Sequence, residues 1–85
     1  DIVAVNELDI PVVNIYPNPA VDIININAPD NLNYEATIFD LQGRLIISTT
    51  NQSVIDVQTL LQGMYLIVIK DLDSGQNVSE KIIIE

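Results

Sequence analysis

From residue 12 onward, short apolar runs alternate with single polar residues and are separated by clusters rich in Asp, Asn, Gly and Pro. A period of two puts alternate side chains on opposite faces of a strand, and no window favours a helical period. The pattern predicts seven strands: VVNIY, VDIININ, YEATIFDL, GRLIIST, SVIDV, MYLIVIK and NVSEKIIIE. Ala28-Pro29-Asp30-Asn31 forms one turn cluster and the polar string over 49–53 another. Residues 40–43, with Asp40 first and Gly43 last, read as a type I turn inside a hairpin. Residues 71–75 read as a second Gly-bearing hairpin loop. The stretch TLLQG offers a single helical turn that Gly63 would end. Strands at this spacing predict an antiparallel, all-β sandwich.

Alternation also assigns faces. Tyr65, Ile67 and Ile69 share one face of their strand, expected to point inward, and Met64, Leu66 and Val68 share the other. Ile24, Ile26, Ile38, Leu45, Ile47, Ile55 and Val57 complete the expected core. LIVI and KIII are apolar on both faces, so some outward Ile or Leu must cover a neighbour or stay in water.

Composition narrows the chemistry. Fifteen Ile and nine Val among 85 residues suit a pleated sheet. There is no Cys and no His, which removes disulfides, thiolate metal sites and the usual nucleophile–base pairs. No cofactor and no enzyme activity are expected. Asp71 with Asp73 is the sharpest acidic pair, a weak calcium candidate whose DxDSG context reads as a hairpin turn. Twelve acidic residues against three basic ones give a net charge of -9. That balance argues against nucleic acid and anionic membrane surfaces, both of which want Lys and Arg. No apolar run approaches the roughly 18–20 residues of a membrane span, so no direct membrane insertion is expected. Residues 1–12 lack the form of a signal peptide and read as a linker or leading segment. An export signal, if the protein has one, is therefore expected on sequence upstream, as for a domain cut from a longer chain.

An ordered set of short signals remains. YPNPAVDIINI is followed by IFDLQGRLI, then by IDVQTLLQGMYLIVI, and finally by EKIIIE. In this order and spacing, residues 13–85 resemble the C-terminal sorting domain of cargo proteins exported by the type IX secretion system of Bacteroidota. The resemblance implies a seven-stranded Ig-like β-sandwich at the end of a larger, covalently linked cargo. It implies passage through the periplasm, then recognition of the folded domain at the outer-membrane translocon, with an outer-membrane shuttle protein among the partners. It also implies removal by a sortase-like protease, cutting within or just before residues 1–12, and delivery to the cell surface or the medium. The motif positions carried over are Pro17, Asn18, Pro19 and Asp22; Asp40 and Gly43; Leu60, Gly63 and Tyr65; and Lys81. Leu61 and Gln58 depart from the residues common at their positions.

Each motif also has a scaffold reading. The two prolines have no N–H and suit a corner between sheets, with the Asn18 amide bonding backbone groups they leave unpaired. Gly63 supplies a positive φ or a close backbone approach. Lys81 is one of three basic groups and lies near the end of the chain, so Lys81, Ile82, Ile83 and Ile84 are the expected recognition surface on an exposed edge strand. An Ig-like or fibronectin-like spacer or adhesion module of a secreted protein is the alternative reading.

Overall fold

The computed structural model describes residues 13–85, and every element in it is a strand. The expected leading segment over 1–12, and with it the expected protease cut, lies outside the described residues. The strands are β1 (Asn14–Tyr16), β2 (Ile23–Asn27), β3 (Tyr34–Phe39), β4 (Leu45–Thr50), β5 (Val54–Asp56), β6 (Gly63–Asp71) and β7 (Asn77–Ile84). They form two antiparallel sheets, ordered β1-β2-β5 and β4-β3-β6-β7. The result is an Ig-like sandwich in which β4 pairs with β3 rather than joining the sheet of β1, β2 and β5.

Alternation does set the core. Ile24 and Ile26 on β2, Ile38 on β3, Ile55 on β5, Val57 just beyond it, and Tyr65, Ile67 and Ile69 on β6 are all buried, as the pattern predicts. Tyr34, Ala36, Ile82, Ile84 and Ala20 complete the same buried cluster. Burying each large aliphatic side chain is worth about 1.5–3 kcal/mol, so these isoleucines supply most of what holds the two sheets together.

Leu45 corrects the expected core. It is 60 % exposed, while Ile47, two residues on, packs partly against the core. The cause is a bulge: Ile47 pairs with Ile38, but Leu45 pairs with the next residue, Phe39. One extra residue reverses the facing of everything beyond it. Leu45 therefore turns to the outer face.

Candidate functional site

The register gathers the motif positions at one end of the four-stranded sheet. Phe39 pairs with both Leu45 and Leu66, Gly63 pairs with Ile84, and Ile84 also bridges in parallel to Ala20. The end of β3, the start of β4, the start of β6 and the end of β7 thus meet the segment over 17–20.

That segment is a strap across β7. Peptide bonds Tyr16–Pro17 and Asn18–Pro19 are cis. The chain leaves β1 in one sheet, touches β7 at the edge of the other and returns to β2, so the expected corner between sheets is present. Pro17 and Pro19 have no N–H to give, and the Asn18 side chain takes over. Its Nδ2 donates to the Lys81 carbonyl and its Oδ1 accepts from the Ile83 N–H, each at 3.0 Å. Ala20 N–H then donates to the Ile83 carbonyl and Glu85 N–H to the Ala20 carbonyl, both at 2.8 Å. The primary amide replaces one peptide unit of a strand that proline could not form.

The second motif is a three-residue hairpin loop between Asp40 and Arg44. Gly43 N–H donates to the Asp40 carbonyl at 3.0 Å, and Gly43 has a φ of 85°, in the left-handed region that a side chain would penalise. The Asp40 carboxylate accepts from the N–H groups of Gln42 and Arg44, each at 2.9 Å, and pairs with Arg44 Nε at 2.7 Å. The Arg44 backbone N–H, helped by its side chain and by the Gln42 N–H, holds the Asp40 carboxyl below its usual pKa.

The third motif is the loop between β5 and β6. It is tied down by Val57 N–H to the Asp22 carbonyl at 2.9 Å, and by Tyr65, whose buried hydroxyl donates to the Leu61 carbonyl at 2.6 Å. A tyrosine at the start of a strand reaching back to upstream backbone is the corner device of Ig-like sandwiches. Gly63, with a φ of 151°, lets the chain enter β6, and Leu60 packs against the core.

Between the second and third motifs lies a groove of ≈ 480 Å³. Leu41, Arg44 and Ile46 come from the β3–β4 hairpin, and Leu61 and Met64 from the chain entering β6. Leu41 is 67 % exposed and Leu61 82 %. Met64 pairs across the sheet with Ile83, and Leu66 with Lys81. These pairs continue the groove's apolar surface onto the outer face of β6 and β7.

The expected surface over 81–84 is corrected in half of its members. Ile82 and Ile84 are 1 % and 2 % exposed and belong to the core, because period two turns them inward beside Tyr65 and Gly63. Lys81 and Ile83 point outward. The outer edge of β7 is also occupied there by the strap, so a partner strand could not pair with that half. Asp71 and Asp73 do form a turn: the buried Asp71 carboxylate accepts from the N–H groups of Asp73 and Ser74. Among the described residues, no group of three or more potential metal-binding side chains comes together. Leu41, Ile46 and Met64, which line the groove, are not site candidates in the sequence. Their only signal there is apolar character at turn or outward positions.

Residues 14–85 match the family described as the secretion system C-terminal sorting domain. Beta-agarase D of Zobellia galactanivorans is 34 % identical over 71 residues, covering 82 % of this chain and 14 % of that protein. Among solved structures, PorZ of Porphyromonas gingivalis, a surface component of its type-IX secretion system, superimposes with a TM-score of 0.71 at 21 % identity. That superposition covers 98 % of this chain and 12 % of the PorZ chain, and it establishes likeness of fold. The chain thus spans a small fraction of either protein.

Proposed function

The chain belongs to the family of type IX secretion C-terminal sorting domains, and on that premise we propose that it directs a larger upstream cargo across the outer membrane. The signal is the folded sandwich, read at the translocon with the help of an outer-membrane shuttle protein after the cargo has reached the periplasm. A sortase-like protease then removes the domain as the cargo is attached to the surface.

The observation that carries this reading is the convergence of the motifs. Residues 17–22, 40–43, 60–65 and 81 are scattered along the sequence, yet the register brings them to one end of the sandwich. An unfolded tag would not need a closed aliphatic core to hold them there.

The test fuses residues 1–85 behind a signal peptide and a fluorescent reporter, in a bacterium with type IX secretion. Surface delivery in wild-type cells, and periplasmic retention in translocon mutants, is the expected result. Retention in wild-type cells would instead make the domain a spacer. Protease removal is read separately, as a loss of about 9 kDa from the surface form, given the chain's 9.4 kDa.

A further inference from the structure

The turns and caps at the motif end hold the walls of the groove, but they do not account for its apolar lining. Leu41 and Leu61 project from loops closed by backbone, carboxylate and tyrosine hydroxyl bonds, none of which uses a leucine side chain. Apolar surface left in water forgoes the free energy of its burial, and large contiguous apolar patches mark contacts.

Basic charge is confined to the sheet that carries the groove. Of a chain with net charge -9, all three basic residues lie on the four-stranded sheet or its turn. Arg44 lines the groove with its guanidinium paired to Asp40, Lys81 stands opposite Leu66 on the face that continues the groove, and Lys70, between Asn77 and Glu35, lies toward the other end of that face. Among the described residues, Lys70 and Lys81 form no ion pair.

We infer that this groove, together with the unpaired Lys81 on the sheet face that continues it, docks a protein segment of the export machinery that presents apolar side chains and a flanking carboxylate. The inference rests on the sorting-domain reading above and adds the contact surface and the chemistry of its partner. A groove of ≈ 480 Å³ accepts a few side chains, not a flat sheet. A second copy would set one charge of -9 against another. An anionic lipid surface calls for a polybasic cluster, whereas these cations are spaced along an acidic domain.

The experiment uses the reporter fusion with a photo-crosslinking amino acid at Leu61 or, as control, at Val54 on the other sheet. Leu61 is expected to crosslink a protein of the export machinery at a stretch of apolar residues flanked by Asp or Glu, at least tenfold more than Val54. L61D and K81E are each expected to keep the thermal melt of the parent and to lower surface delivery at least fivefold, with K81R restoring it. Unchanged delivery of both L61D and K81E would overturn the inference, as would crosslinks from Leu61 to lipid or to a second copy. Those results leave the sorting reading standing, because the parent fusion is still delivered. Failure of the parent fusion to reach the surface would remove both.

Discussion

Asp40-Leu41 and Asp71-Leu72 open two hairpin turns at opposite ends of the four-stranded sheet. The devices are nearly the same. Each Asp carboxylate accepts the N–H two residues on, from Gln42 or Asp73, and each turn closes on a glycine with a φ of 85° or 81°. Only the first is among the positions that the resemblance assigns to the sorting motif. The difference is in what the leucine meets. Leu41 stands across a groove from Leu61 and beside Arg44, while Leu72 projects half-exposed from its loop, with its N–H bonded to the Asn33 carbonyl. On the proposed reading, the comparison teaches that a residue structural in kind can still define a contact surface, through what its turn positions.

The ends differ in their closing tyrosines as well. At the motif end Tyr65 reaches back to Leu61. At the other, Tyr34 donates its hydroxyl to the Gln52 carbonyl, and its N–H donates to Asn51 Oδ1. Asn51 takes a left-handed φ of 53°, one of the few side chains that tolerates it.

The largest expected effect erases the comparison. Ile67 is fully buried at the centre of β6, and I67A should cost about 2–5 kcal/mol, loosening both turns together in urea denaturation. Unfolding of one end alone would mean that the sandwich is not one cooperative unit. Next, D71A removes a buried acceptor from two N–H groups and should cost about 1–3 kcal/mol, with surface delivery preserved at permissive temperature. Loss of delivery from a folded D71A protein would erase the distinction between the turns.

Smaller again are Y65F and Y34F. Each loses one hydroxyl bond to a backbone carbonyl, about 0.5–1.5 kcal/mol, and the thermal shifts should be similar. Delivery should fall more for Y65F, since the Leu61 carbonyl is released at the groove wall.

The smallest effect is a division by pH. Asp40 has a lowered pKa in the fold, so its contribution is present above the ordinary aspartate value of about 3.9 and fades as the pH falls through the lower folded value. Burial raises the pKa of Tyr34, so its contribution is complete below about 10 and is lost as the pH rises through the raised value. Amide protection relative to the intrinsic exchange rate at each pH should therefore fall first at Gln42 and Arg44 in acid, and first around Asn51 and Gln52 in alkali. D40N should remove the acid response alone.

Much of the fold is legible because one-sided strands announce their faces. Ile24, Ile26, Tyr65, Ile67 and Ile69 followed from alternation with no other information. Leu45 did not, since a bulge reverses facing without a sequence mark on β4 itself. Ile82 and Ile84 were hidden by Ile83: three isoleucines in a row carry no parity until the register with β6 supplies it. The candidate site was legible as a set of residues but not as a place. Asp40 and Tyr65 share a groove only through the pairing of β3 with β6, and a parallel bridge between Ala20 and Ile84 leaves no periodic trace.

The strap over β7 also bears on timing. Asn18 is 63 and 65 residues earlier in the chain than the carbonyl and N–H groups it binds. Contacts so distant form late, after the closure entropy of the intervening chain has been met. A chain halted before residue 81 leaves Asn18 and Ala20 with nothing to grip, and an unfinished protein cannot close this corner. The closed corner thus requires that β7 be present and paired, at the end of the sandwich that also holds Asp40, Gly63 and Tyr65.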